Sequence, residues 1–399
     1  MNAKTAAKTT TAIAIVQTNV TAADAARQRI RAWEEQARAA FPERDSVIRA
    51  LLVCLVSCSN VILYGPPGTA KSMLARAFSN AFNGRFFDVL MTRFTTPSEL
   101  FGALDIQAMK QGRLRRVVRG FLPEAHVAFL DEGFKANSAC LNSLLTAVNE
   151  HAFHDDGSKS DIPLRTAVLA SNEFPEDDDS LNAFDDRFPM RFDIKPLQNS
   201  RNLRDLLTGS LPSIDTSFTL DDVDTIRAVA DSLPVTDDVI DSLIAIRAKL
   251  GAKGIYASDR KLATSVRLLR ASAALTGSPA VSAIHLGLLE NVLWLRPDQH
   301  ATVREIVREH VATWLTDLRS AIEVIDQQDA AMSQAIRSTG NVGSTGALVA
   351  KAVQKLKELE STVLLPLAQE PEAASEVSLL IGRIEAIVRR GRDAMTKLW

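Results

Sequence analysis

The chain has 399 residues, 46% of them hydrophobic and 24% charged, with a formal net charge of −2 and three cysteines. Length and apolar content exceed one usual core and predict two or three globular domains. The charge balance excludes a broadly basic nucleic-acid coat, leaving only local basic patches to weigh.

An odd cysteine count in a long chain suits a reducing compartment. Cys54 and Cys58, four apart in the run LLVCLVSC, read as one buried helix face, because no His, Asp or Glu stands close enough to complete a zinc site. AIAIV is too short for a signal peptide core, and no run of about 18 apolar residues occurs, so the expectation is a cytoplasmic protein without a membrane span.

In chain order, residues 1–22 are rich in Ala, Thr and Lys without a sustained period and are expected to form a flexible tail. Two helical stretches follow from Ala23, flanking Phe41 and Pro42, and the second, DSVIRALLVCLVS, leads into the short apolar strand NVILY. A glycine-rich turn comes next. The pattern then alternates through the helix SMLARAFSNAF, the segment FDVLM, a Gly- and Arg-rich insertion, the strand HVAFLDE, the helix SACLNSLLTAVNE and the strand TAVLASN. Such alternation predicts a parallel α/β domain over 23–198. Beyond Pro196 strand patterns stop, and helical periodicity predicts an all-α domain over 199–300. Over 301–399, Ile306, Val307, Val311, Trp314, Leu318, Ile322 and Ile325 are spaced like one face of a long helix, so a helical hairpin or bundle is expected. STGNVGSTG (338–346) reads as a flexible loop within it.

The chemistry gathers in the first domain. Gly65, Pro66, Pro67, Gly68, Thr69, Ala70, Lys71 and Ser72 follow a strand and open a helix, the context in which backbone N–H groups and a helix N-terminus cradle phosphates. Lys71 can reach β- and γ-phosphates, and the Ser72 hydroxyl is placed for Mg2+. Ala70 stands where a glycine is usual, which is tolerable if the backbone there keeps negative φ. Asp131 and Glu132 end a strand as a magnesium-side carboxylate and a base for water, and Asn172, ending another, can orient that water or act as a helix cap. In DDRFPMRF, placed after the last sheet-forming region, either Arg187 or Arg191 can stabilise phosphoryl-transfer charge, with Arg187 favoured over a surface salt bridge. Arg260, in the first turn of the helix opened by Ser258 or Asp259, is expected to face back toward the nucleotide cleft.

From Glu43 to about Trp294 the chain resembles the MoxR branch of AAA+ ATPases, and most closely its RavA-like subgroup. GPPGTAKS, LMTRFTTPSELFG, GFLPEAHVAFLDE, LNSLLTAVNEHAF, LASNE and DDRF stand in the order that subgroup uses. The resemblance implies a P-loop AAA+ core, an all-α lid and a C-terminal helical region. It makes Lys71 and Ser72 Walker A, Asp131 and Glu132 Walker B, Asn172 sensor 1, Arg187 the arginine finger and Arg260 sensor 2. It also implies ATP and Mg2+ as cofactors, a hexameric ring, a von Willebrand factor A-domain partner and a protein client. Two insertions, about Thr95–Phe121 and a hairpin around His151–Arg165, would face a partner or a pore. Arg113, Arg115, Arg116 and Arg119 in the first read either as a basic rim or as a solvated face. RavA-like proteins carry a mostly β insertion in their C-terminal region, for which residues 301–399 leave no room. The competing function is a nucleic-acid motor, disfavoured by the mildly acidic balance and by an aromatic content of 6%. A small-molecule kinase and a scaffold with a degenerate site explain fewer of these residues.

Overall fold

The computed structural model of the chain describes residues 3–155, 158–174, 184, 186–311, 313–337, 342–367 and 374–398. They form two compact units, 1–306 and 307–399, so the sheet domain and the lid share the first.

Helix α1 spans Ala3–Ala40, which corrects the expected tail: the alanine content that masked any period also makes a good helix former. Helix α2 (Asp45–Ser57) is the predicted apolar helix, and its end is turned by Cys58 in the left-handed region at φ 47°. Strands β1 (Val61–Tyr64), β2 (Phe86–Leu90), β3 (Val127–Asp131), β6 (Thr166–Ser171) and β7 (Met190–Asp193) pair in parallel in the order β2-β3-β6-β1-β7. Every residue of β1 and β6 is buried, as expected where helices cover both faces of a parallel sheet. Strand β7 begins within DDRFPMRF and corrects the reading that this stretch follows the sheet. A four-residue edge strand carrying a buried arginine after a proline has no strand signature.

Helices α3 (Lys71–Asn80), α4 (Pro97–Phe101), α5 (Ile106–Lys110) and α6 (Ser138–Glu150) intervene, and β4 (Ala152–Asp155) with β5 (Ser158–Asp161) makes a small antiparallel hairpin where the second insertion was expected. After β7 come α7 (Ser200–Leu207), α8 (Leu220–Ser232), α9 (Asp237–Ala252) and α10 (Asp259–Thr276). The lid is seated on the first two helices. α8 packs on α1 and α10 on α2, while Arg29 pairs with Asp222 and Arg27 Nε donates to Ala274 O at 2.7 Å. Cys58 at the end of α2 lines one cleft with Arg260 and Thr264 of the first turns of α10, and Arg49 within α2 donates to Ser272 O near its end, so the two helices run antiparallel.

The long apolar face predicted from Ile306 to Ile325 is divided between α11 (His300–Arg308) and α12 (Thr313–Arg337). The second unit packs α12, α13 (Val342–Leu359) and α14 (Ala374–Leu398) around Leu318, Ile325, Leu356, Val377 and Ile384, with Arg383–Asp326 and Arg390–Asp329 pairs outside. Of the expected loop 338–346, residues 338–341 lie outside the described residues and the remainder starts α13.

Candidate functional site

Two groups of the expected residues occupy opposite ends of the sheet. At the strand C-terminal ends, Gly65 leaves β1 with φ 142°, and a Cβ there would sit 2.1 Å from Ile194 O, so only glycine lets the loop pass the end of β7. Thr69 Oγ1 donates to Pro66 O at 2.9 Å and braces the loop. Ala70 overturns the negative-φ expectation: it caps α3 at φ 64°, a left-handed conformation a non-glycine residue holds at a cost of roughly 1–2 kcal/mol. The turn that aims the first amides of α3 inward needs that conformation whichever residue fills it.

Lys71 is buried and bound on three sides. Its Nζ donates to Gly65 O at 2.6 Å, Pro66 O at 3.0 Å and Asn172 Oδ1 at 3.1 Å. Burial lowers the pKa of its ammonium, against the raising pull of Asp131 and Glu132. Asn172 Nδ2 donates in turn to Glu132 Oε1, so Lys71, Asn172 and Glu132 form one chain of hydrogen bonds. The other Glu132 oxygen lies 3.3 Å from Lys135 Nζ, near enough for charge attraction but without hydrogen-bond geometry. Glu132 sits at φ 54°, beside Asp131 at the end of β3, and its N–H donates to Asp131 Oδ1 at 3.1 Å. Strain of this kind gathers at reacting sites.

The residues fit Mg2+. The exposed Ser72 hydroxyl in the first turn of α3 and the half-buried Asp131 carboxylate are the hard oxygen donors this ion takes. Among the described residues no cluster of three or more His, Cys, Asp or Glu can hold a metal alone, so phosphate oxygens and water would complete the shell.

The arginines are elsewhere. Asn60, just before β1, donates through Nδ2 to Arg187 O at 2.7 Å and accepts from Ala167 N at 2.8 Å, which fixes Arg187 at the strand N-terminal ends. Five residues at about 3.3 Å each separate Asn60 from Gly65, so about 16 Å of strand lies between this edge and the loop. The expectation that Arg260 faces the same chain's nucleotide cleft is therefore corrected. It donates to Asn149 Oδ1 and, with Arg187, Arg267 and His151, lines a cleft of about 390 Å³. The antiparallel seat of α10 on α2 sends its N-terminus to this edge, and Ser258 Oγ pins it by donating to Asp186 Oδ1 at 3.1 Å. Burial, aided by Arg227, Arg267 and Arg165, pushes the His151 pKa down against a raising bond to Leu164 O. Arg191 is 1% exposed and donates to Trp294 O at 3.0 Å, tying β7 to the end of the lid.

Sequence reasoning missed Arg267, seven residues after Arg260 and so on the same helix face. It also missed a second cavity, about 570 Å³, where Trp33 and Phe41 meet Met73, Arg76 and Ala77 on the outer face of α3. The sequence offered one signal, an apolar Met73 two positions after Lys71, which the structure leaves 61% exposed.

The profile of the MoxR domain found in MoxR–vWA–β-propeller ternary systems matches residues 28–228, and that of an AAA lid domain matches 238–307. The uncharacterized protein MJ0812 of Methanocaldococcus jannaschii is 35% identical over 295 residues, covering 72% of this chain and 78% of that protein. Chaperone MoxR1 of Mycobacterium tuberculosis is 27% identical over 134 residues, 32% of this chain and 33% of its own. A crystal structure of a candidate ATPase from Cytophaga hutchinsonii superposes with a TM-score of 0.59 over 74% of this chain and 97% of that one; at 17% identity the likeness shows the fold.

Proposed function

The chain belongs to the MoxR family of AAA+ ATPases, and from that footing we propose that it hydrolyses Mg-ATP in a ring of its own copies to remodel or activate a client protein. One observation carries the reading: the phosphate loop and the arginine cleft stand at opposite edges of one sheet. A copy cannot bring Arg187 to its own nucleotide, whereas a neighbour's cleft can cover it. Each active centre is then shared, with Arg187 as finger and Arg260 and Arg267 as further cations from the adjacent copy.

Within one copy, phosphate entering the loop replaces the Gly65 and Pro66 carbonyls as partners of Lys71, and the first amides of α3 bind its oxygens. Mg2+, held by Ser72 and Asp131, supplies charge neutralisation at the phosphates. Asn172, no longer drawn by Lys71, holds Glu132 and the attacking water in register, and Glu132 accepts the water's proton. The cavity beside Met73 and Phe41 receives the base.

The matching profile comes from systems that include a von Willebrand factor A-domain protein, which supports such a partner here; the RavA-like affinity rests on the motifs alone. No helix among the described residues is long and apolar enough to cross a membrane, and a cytoplasmic setting and six-membered ring complete the reading.

Mixing Lys71→Ala with Arg187→Ala tests it. Each variant alone should be nearly inactive, and their mixture should regain turnover at centres pairing an intact loop with an intact arginine edge. Independent, undiminished turnover by Arg187→Ala would sink the shared centre. Absence of ATP turnover by the unaltered chain over a wide concentration range would sink the motor. Capture with Glu132→Gln, against Lys71→Ala, should retain the A-domain partner.

A further inference from the structure

Between β2 and β3 the chain projects a hairpin that the catalytic reading leaves unused. Residues 93–119 hold six basic side chains against two acidic ones, in a chain whose net charge is −2. Both acids are committed to the backbone. Glu99 accepts from Thr96 N and Oγ1, each at 2.9 Å, and Asp105 caps α5 by accepting from Gln107 N at 2.8 Å and Ala108 N at 3.2 Å. Arg113, Arg115 and Arg119 are exposed, so the positive field of the hairpin is turned outward.

Apolar side chains are exposed along the same segment. Phe94 is 82% exposed and Ile106 70%, with Met109, Leu114 and Val117 about half exposed. This is no frayed loop: Asp105 N donates to Arg115 O at 2.7 Å, Val117 N to Ala103 O at 2.9 Å and Arg116 to Gly102 O at 2.8 Å. Gly102, at φ 92°, lets the two arms close, because a Cβ there would lie 2.0 Å from Val117 O. A braced element that displays several large aliphatic groups among cations is what a binding surface looks like before its partner arrives.

We propose that this hairpin docks an acidic protein segment carrying aliphatic side chains, its carboxylates meeting Arg113, Arg115 and Arg119 and its apolar groups covering Ile106, Met109 and Leu114. Charge complementarity selects the acidic partner, and the aliphatic groups select protein over nucleic acid, which would ask for stacking rings where only Phe94 stands. The inference rests on the remodelling reading, in which this is where a client or adaptor is gripped.

The test uses the full chain and a short dye-labelled peptide alternating glutamate with leucine, followed by fluorescence anisotropy. Controls are a glutamate–serine peptide, single-stranded DNA and phosphatidylserine vesicles. The expected result is saturable binding of the glutamate–leucine peptide alone, weakened about tenfold or more by the pair Arg113→Glu/Arg115→Glu and likewise by Ile106→Ser/Leu114→Ser. Added salt should weaken it further. Both variants should keep basal ATP turnover, which verifies folding and separates loss of docking from loss of the motor. Equal binding of the glutamate–serine peptide would overturn the proposal in favour of unspecific charge attraction. Equal or tighter binding of DNA or vesicles would assign the surface to another partner. A changed oligomeric state in the serine variant, with peptide binding intact, would make the apolar face a contact between copies and overturn it too.

Discussion

The two edges of the sheet differ in how completely each is bonded within one copy. At the strand C-terminal ends, Lys71, Asn172 and Glu132 form one hydrogen-bonded chain, with a single Glu132 oxygen left to charge attraction from Lys135. At the N-terminal ends, the main chain of Arg187 is anchored through Asn60, while Arg260 and Arg267 are exposed around an open cleft. One edge is closed on itself and the other is presented outward. The difference teaches that two placements outside the nucleotide motif, Asn60 holding Arg187 and α10 carrying Arg260 and Arg267, set the arginines apart from the loop of their own chain.

The largest effect that could break this comparison is that of Arg187→Ala. Turnover in the assembled protein should fall by about 10³ or more with nucleotide binding retained. Lost binding in an isolated copy, read by a fluorescent nucleotide, would put both edges on one nucleotide.

The next effect bears on the lid. His285 is buried, with Nδ1 accepting from Ser282 N at 3.1 Å, and burial chiefly pushes its pKa from 6.5 to about 4. The unfolded chain therefore takes up the proton first as pH falls. The contribution is whole above pH 6.5 and lost progressively toward 4, about 3 kcal/mol in all. Denaturant unfolding at several pH values should show that loss in the unaltered chain and a shallower one in His285→Gln. Hydrogen exchange should find the lid loosened before the sheet.

Arg191→Ala should separate the two arginines of DDRFPMRF by kind of failure. It leaves the Trp294 carbonyl without its guanidinium and should cost about 1–3 kcal/mol of stability, read as a lower midpoint of unfolding. Arg187→Ala should instead be read first as the loss of turnover. The smallest effect is at the phosphate loop: Ala70→Gly relieves left-handed strain and, after the added chain entropy of glycine, should stabilise by about 0.5–1 kcal/mol. A destabilised Ala70→Gly would mean that the methyl group packs usefully there.

How much of this was legible depends on the scale of the interaction. α2, β1, β3 and β6 carry their burial as unbroken apolar runs, and the phosphate loop is spelled by contiguous residues. β7 was hidden because its burial runs through Arg191, whose partner carbonyl lies more than a hundred residues later. Arg260 stands out in the sequence, but its placement does not. Its direction is set by α10 packing antiparallel on α2, a tertiary choice that no local pattern records. The φ of Ala70 was misread for the opposite reason: residue type suggested one conformation and loop geometry imposed another.

The three bonds of Lys71 have a consequence for turnover. Since the ammonium holds two carbonyls and an amide oxygen of its own chain, phosphate binding in the proposed reaction is an exchange of partners, and affinity is the difference between two well-bonded arrangements. In the proposed cycle Lys71 returns to Gly65, Pro66 and Asn172 when product leaves, so its buried charge is covered by the protein's own oxygens at both ends of the exchange.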